Sequence, residues 1–200
     1  MPVRDRQLLI TNLVAKVLGQ EPVIDHKFDW FINKHVEGFF QDRFSVINEI
    51  FECLNVDIDA NFNKGTKFLE CDAYFGGNYN FMFEYDEFQH FSTPRLKTLE
   101  RYPNNLDVNY DVRKWKEFCR LYSENADKYR FNKSTKDFNF KGGRTCQRAY
   151  LDCFRDFLPE KNGLNPTLRI SEFEVVDIHA ETPVNIKKIS KLINARLRFT

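Results

Sequence analysis

Apolar and polar residues alternate at helical spacing through the first quarter of the chain. Leucines and valines recur every three to four positions over residues 4–18, which predicts a helix, and Gly19 follows as a typical helix stop. A second helical pattern covers residues 28–54 and is broken near Gly38, which favours two helices. The N-terminal region is therefore expected to be helical.

The hydrophobic period changes to two in the middle of the chain. The segments KFLECDAYF and YNFMFEYDEF flank a Gly-Gly-Asn turn at residues 76–78, and this arrangement predicts a β-hairpin. Within the second strand, one face takes Phe81, Phe83 and Tyr85, and the other takes Met82, Glu84 and Asp86. One face should therefore pack into the core, while the other gathers carboxylates.

The second half of the chain is predicted to contain mainly helices. These helices are expected at residues 92–102, 111–122, 144–157 and 184–199, and strands at 128–132 and 166–179. No repeat, low-complexity tract or linker interrupts the pattern. The order of elements predicts an α/β protein with a mixed central β-sheet flanked by helices, folded as a single domain over residues 1–200.

The composition is typical of a globular cytoplasmic protein. Of the 200 residues, 42% are hydrophobic and 30% are charged, which argues against a disordered or fibrous chain. No apolar run resembles a signal peptide or reaches the length of a membrane span, so no membrane partner is expected. Five widely spaced cysteines without a C-x-x-C pair fit reduced thiols. The net charge of +1 provides no global attraction to DNA, so any nucleic-acid surface must be local.

Three carboxylates are expected to converge in the predicted hairpin. Asp72 lies on its first strand, and Glu84 and Asp86 lie on one face of its second strand. Carboxylates this close repel one another unless a cation neutralises them. Oxygen ligands of this kind suit Mg²⁺ or Mn²⁺, and such an ion can activate water for phosphodiester hydrolysis.

The same residues resemble a known nuclease motif. An Asp separated by eleven residues from an acidic strand residue, here Asp72 and Glu84, resembles the core of the PD-(D/E)xK nuclease superfamily. More narrowly, EYDEFQHF resembles the E-x-D-G-x-Q-H pattern of the branch related to very-short-patch repair and restriction endonucleases. The resemblance implies a restriction-endonuclease-like core and a Mg²⁺- or Mn²⁺-dependent endonuclease that cleaves DNA in restriction or repair. A homodimer is one arrangement that would let such an enzyme cut both strands.

The resemblance also implies roles for individual residues. The metal ligands would be Asp72, Glu84, Asp86 at the position of the usual Lys, and Glu49 from the preceding helix. These three strand acids would form the catalytic centre with His90, which would orient water or donate a proton, and with Gln89 beside it. The chain departs from the pattern because Glu87 replaces the usual Gly and no Lys occupies the third motif position.

Other interpretations remain open at this stage. Glu87 and Gln89 could form an alternative E-x-Q register, although strand parity places them on the opposite face. A catalytically inactive relative that binds nucleic acid or a protein is a second hypothesis, because the motif Lys is missing. A third is an accessory α/β protein whose acidic strand is coincidental, and it predicts that Asp72 and Glu84 point apart.

Basic residues supply the predicted DNA contacts. Arg144, Arg148 and Arg155 share one face of a predicted helix, and the glycines at 142–143 could present backbone amides to a phosphate at its start. Further predicted nucleic-acid contacts are Arg95, Lys97, Arg113 and Lys114. The C-terminal helix also carries a basic stripe, Lys187, Lys188, Lys191, Arg196 and Arg198, which we interpret as a solvated face.

Overall fold

Helices surround two β-sheets in this protein, which a computed structural model describes over residues 2–197. The helices are α1 (Val3–Leu18), α2 (Glu37–Phe40), α3 (Phe44–Cys53), α4 (Ile58–Asn63), α5 (Thr93–Leu99), α6 (Val112–Lys128), α7 (Gly143–Lys161) and α8 (Pro183–Arg196). The strands are β1 (Val23–Ile24), β2 (Lys27–Ile32), β3 (Phe68–Glu70), β4 (Ala73–Phe75), β5 (Phe81–Asp86) and β6 (Asn165–Ser171). Short 3-10 turns occupy Gln41–Arg43, Phe88–His90 and Glu172–Glu174.

A mixed four-stranded sheet carries the predicted hairpin. Its strand order is β1-β4-β5-β6, with β4 antiparallel and β6 parallel to β5. Ala73 lies opposite Phe83 and Phe75 opposite Phe81, so the Gly-Gly-Asn segment does connect two paired strands. The predicted α/β class with a mixed central sheet flanked by helices is confirmed.

The two faces of β5 separate as its alternation predicts. Phe81, Phe83 and Tyr85 join a core that also contains apolar residues of α1 and α8. The opposite face is covered by α7, whose Arg155 reaches Glu84, and by the hydrophobic cluster that contains Met82. The acidic face of β5 is therefore buried beneath a helix, and Glu84 is only 3% exposed.

Residues 27–32 form a strand, so the helix predicted for the start of 28–54 is wrong. β2 pairs antiparallel with β3 in a separate two-stranded sheet. Phe28 stacks on Trp30 and meets the ring of Tyr74 edge-on, which gives these aromatic residues a tertiary partner. Spacing within residues 28–32 could not reveal this partner, because β3 lies far along the chain.

Several elements in the second half end at other residues than predicted. The strand predicted at 128–132 is absent from the described residues, because α6 continues to Lys128, beyond its predicted end at 122, and turns follow. α7 continues to Lys161, beyond its predicted end at 157. The strand predicted at 166–179 ends at Ser171, where a 3-10 turn follows. The end of the C-terminal helix, including Arg198, lies outside the described residues. Within residues 2–197, every helix is too short or too polar to cross a bilayer.

Candidate active site and arginine cleft

Asp72 and Glu84 lie close together near the start of the hairpin. Asp72 immediately precedes β4, and continuing the register that pairs Ala73 with Phe83 by one residue places it opposite Glu84. Asp72 Oδ2 also accepts a hydrogen bond of 2.7 Å from the backbone N–H of Tyr85. The charge of Glu84 reaches Asp72, since it raises the pKa of that carboxyl.

This pair of carboxylates is poorly stabilised by the surrounding protein. Burial raises the pKa of Asp72 well above its usual range, and the charge of Glu84 raises it further. Burial also raises the pKa of Glu84, although Arg155 Nε forms an ion pair with its Oε2 at 2.8 Å. Glu84 Oε1 is buried and has no hydrogen-bond partner among the described residues. A cation bound at these oxygens would relieve both effects.

Asp86 is bonded within a different network. Its Oδ1 accepts a hydrogen bond of 2.6 Å from Arg169 Nη1, and its Oδ2 accepts one of 2.8 Å from Trp115 Nε1. Arg169 is itself fully buried and also pairs with Asp156 at 2.8 Å. The interpretation of Asp86 as a metal ligand or catalytic group is therefore corrected, because both of its oxygens serve to hold Arg169 and Trp115.

Glu49, the fourth predicted ligand, lies exposed on α3. In the described part of the chain, no group of three His, Cys, Asp or Glu side chains is arranged to hold a metal ion. The predicted set of four ligands is thus reduced to Asp72 and Glu84. Two carboxylates fit the binding habit of Mg²⁺, which commonly uses one or two and retains several waters.

His90 is held as a cation by Asp152, Glu87 and Asp86. Its Nδ1 lies 2.9 Å from Asp152 Oδ2, and its Nε2 lies 3.5 Å from Glu87 Oε2. Burial opposes the charge on the imidazole, but Asp152, Glu87 and Asp86 outweigh it and raise the pKa of His90 to about 10. The ring is therefore protonated at neutral pH.

Glu87 and Gln89, the alternative register, meet each other directly. Gln89 Nε2 donates to Glu87 Oε2 at 3.0 Å, and Gln89 Oε1 accepts from Arg148 Nη2 at 3.2 Å. Glu87 is also close enough for its charge to raise the pKa of Asp72. Both registers therefore place an acid near Asp72, and mutation must distinguish them.

Four arginines, including Arg155, line a cleft. The cleft has a volume of about 300 Å³ and is formed by Gln89, His90, Tyr129, Arg130, Arg144, Arg148, Leu151, Asp152 and Arg155. The predicted common face of the three α7 arginines is thus confirmed. Because Arg155 also pairs with Glu84, it links this cleft to the two carboxylates.

The other predicted DNA contacts lie elsewhere. Arg95 is 1% exposed and pairs with Asp156 at 2.7 Å, so the prediction that it contacts DNA is wrong. Lys97 is exposed on α5 and Arg113 is exposed at the start of α6, and neither lines the arginine cleft. Lys114 is ion-paired on α6, also outside this cleft.

The start of α7 does not offer free amides to a phosphate, contrary to prediction. The N–H groups of Gly142, Gly143 and Arg144 donate to backbone carbonyls of Phe131, Phe140 and Lys133, at 2.7, 2.9 and 3.1 Å. These donors are already satisfied by the preceding turns. Any phosphate in the cleft must therefore be held by side chains.

Sequence reasoning missed four residues of the cleft: Tyr129, Arg130, Leu151 and Asp152. Asp152 follows Arg148 by four residues on α7, so its position on the arginine face could have been found from helical spacing. Tyr129 and Arg130 lie in turns without periodicity. Comparison of the chain with known protein families, curated proteins and solved structures finds no match. The acids and arginines are therefore the observations from which function is inferred.

Proposed function

We propose that this protein is a Mg²⁺- or Mn²⁺-dependent phosphodiesterase that cleaves DNA, with Asp72 and Glu84 as the metal ligands. The observation that carries the proposal is the position of these carboxylates, with the unpartnered Glu84 Oε1, next to a cleft lined by four arginines. An acidic hairpin strand within a mixed sheet also supports the restriction-endonuclease-like core that the sequence resemblance implies. Acids that hold a cation and arginines that bind phosphate are two common means by which enzymes promote phosphodiester hydrolysis.

In this proposal the acids of the site would bind the metal ion, and the arginines would bind the phosphate. A divalent ion held by Asp72 and Glu84 would supply an activated water and stabilise charge on the phosphate. Arg148 and Arg155 are placed to bind phosphate oxygens, since guanidinium groups match them bidentately. The protonated His90 adds positive charge where negative charge would develop on the phosphate, while Asp152 fixes the orientation of its ring.

A second candidate function is nucleic-acid binding without cleavage. It is favoured by the ion pairs that Glu84 makes with Arg155 and Asp86 makes with Arg169, because these protein cations neutralise the acids in place of a metal. In this alternative the arginine cleft would retain its role, and the carboxylates would be structural.

The test is cleavage of plasmid and of linear DNA by the full-length protein, with Mg²⁺, with Mn²⁺ and with EDTA. We expect cleavage only with a divalent ion, and a loss of at least about a hundredfold in Glu84→Gln, the scale seen when a main electrostatic group is removed. Glu160→Gln is the matched control, because Glu160 is an exposed glutamate at the far end of α7. Glu87→Gln examines the alternative register.

Each outcome assigns the function. Cleavage that survives Glu84→Gln but is lost in Glu87→Gln would transfer the metal site to the second register. Binding of DNA with no cleavage in either metal would establish the second candidate. Equal activity of wild type and both variants would refute the proposal.

A further inference from the structure

The arginine cleft contains more positive charge than its carboxylates neutralise. Within residues 2–197, Arg130, Arg144 and Arg148 have no carboxylate oxygen within 4.0 Å. Arg155 is instead paired with Glu84, and His90 with Asp152. Three guanidinium groups therefore converge on one small cavity, and Asp152, the carboxylate that lines it, is already paired with His90.

The fold holds these arginines together against their mutual repulsion. Burial lowers the pKa of Arg144, and the neighbouring charges of Arg130 and Arg155 lower it further. Burial lowers the pKa of Arg148 as well, and Arg144 adds to the effect, while the charge of Asp152 partly opposes the lowering at both arginines. Like charges placed this close are unfavourable unless an anion joins them.

The guanidinium groups are also oriented in advance. Arg148 Nη2 donates to Gln89 Oε1 at 3.2 Å, and Arg144 donates to Gln147. The ring of Tyr129 lies between two of them, 5.2 Å from the Arg130 guanidinium carbon and 5.6 Å from that of Arg148. Neutral partners thus fix the side chains and leave their charge available to a ligand.

From this surplus of charge we propose that the cleft is a binding site for a phosphomonoester, the terminal phosphate of a nucleic-acid strand. A phosphomonoester has nearly two negative charges and three free oxygens at neutral pH, whereas an internal phosphodiester has one charge. Three uncompensated arginines in a volume of about 300 Å³ match the monoester. An extended strand of diesters would instead need its cations spread along a groove.

This inference rests on the proposed function in one respect. Arg155 joins the phosphate cleft to Asp72 and Glu84, so a strand anchored by its terminal phosphate would place a nearby internal phosphodiester at the carboxylates. The substrate class would therefore be phosphorylated DNA ends. A free nucleotide offers the same phosphate chemistry and needs a separate arm in the test.

The test is competition binding in EDTA, read by the fluorescence anisotropy of a labelled single strand that bears a 5′-phosphate. Unlabelled competitors are the same strand with a 5′-hydroxyl, a strand with a 3′-phosphate, a covalently closed circle, a nucleoside monophosphate and inorganic phosphate. We expect a phosphorylated end to compete at least about tenfold better than the hydroxyl strand or the circle, as a single charge-assisted hydrogen bond would provide.

Variants connect the preference to the cleft. Arg144→Gln/Arg148→Gln should abolish the preference for a phosphorylated end, and Lys187→Gln, which removes one exposed charge from α8, should retain it. Arg130→Gln is the second variant, because Arg130 is exposed and its loss should not disturb folding. We expect it to reduce the preference several-fold.

The outcomes separate this inference from the proposed function. Equal competition by the circle and the phosphorylated strand would overturn it, as would an unchanged preference in the double and Arg130 variants. Stronger competition by the 5′-phosphate, the 3′-phosphate or the free nucleotide would support the site and identify its ligand. Because binding is measured in EDTA, a protein that selects phosphorylated ends but never cleaves them would refute only the phosphodiesterase.

Discussion

Removing the charge of Asp72 should stabilise this protein, whereas removing that of Asp86 should destabilise it. Asp72 is partly buried and feels the charge of Glu84, so its ionised form is unfavourable in the folded state. Asp86 accepts hydrogen bonds from Arg169 and Trp115, and removing its charge weakens the bond to Arg169. Asp72→Asn keeps a carbonyl oxygen to accept the Tyr85 N–H, and it removes the repulsion.

The expected magnitudes follow from these contacts. Like charges opposed on neighbouring strands are unfavourable on the scale of about 0.2–1 kcal/mol, so Asp72→Asn should raise the free energy of unfolding by about that amount at pH 8. For a chain of this size that is a rise of up to about 4 °C in Tm. Asp86→Asn breaks a buried ion pair with Arg169, which costs about 3–5 kcal/mol. The lower end is expected, because Asp156 continues to pair with Arg169.

The effect of Asp72→Asn should depend on pH. The pKa of Asp72 is raised in the folded state, so its stabilising effect is fully present below the unfolded pKa of about 3.9 and is lost as pH rises through the folded value. The advantage of the variant should therefore be small near pH 4 and larger at pH 8.

The assay is urea unfolding followed by circular dichroism, at both pH values and in EDTA. Addition of Mn²⁺ should stabilise the wild type more than Asp72→Asn, since a ligand stabilises only the state that binds it. The reasoning is refuted if Asp72→Asn is less stable than wild type at pH 8, or if its advantage is independent of pH.

Two further predictions concern His90 and the start of α7. The raised pKa of His90 stabilises the fold fully below its unfolded pKa of about 6.5, and this contribution is lost as pH rises through about 10. Unfolding free energies measured across this window should therefore fall more steeply for wild type than for His90→Gln, and parallel curves would contradict the charge assignment. Gly143→Ala should destabilise the protein by about 1–3 kcal/mol in thermal melts. The reason is that an added Cβ would meet the carbonyl oxygen of Phe138 at 1.9 Å. Gly38→Ala is the matched control, because the space around Gly38 is open.

The parts of the fold that local pattern could predict are the hairpin, the end of α1 and the start of α5. Gly19 adopts a left-handed backbone with φ of 64°, as a helix stop requires, and Ser92 caps α5 through its side chain. The alternation in β5 separates Phe83 from Glu84 because a strand has a period of two. These features are decided by residues that lie close together in the sequence, so the local pattern is enough to predict them.

The candidate site could be predicted only in part, because its acids are defined by distant partners. Asp86 differs from Glu84 only through Arg169 and Trp115, which come from β6 and α6. Nothing within EYDEFQHF distinguishes a structural carboxylate from a candidate ligand. The prediction that Arg95 contacts DNA failed for the same reason. Its ion-pair partner, Asp156, lies on α7, far along the chain from Arg95.

The parallel pairing of β5 with β6 has a consequence for the order of folding. The chain between these strands contains α5, α6 and α7, so their contacts close a long loop, and contacts of this kind form slowly. The hairpin of β4 and β5 can form earlier, with its acids still in water. Since α7 brings Arg155 to Glu84 and β6 brings Arg169 to Asp86, these two acids would be dehydrated in the same late step that supplies their cations. This order would spare the folding intermediate a buried carboxylate without a partner, and it makes that late step the one most sensitive to ionic strength.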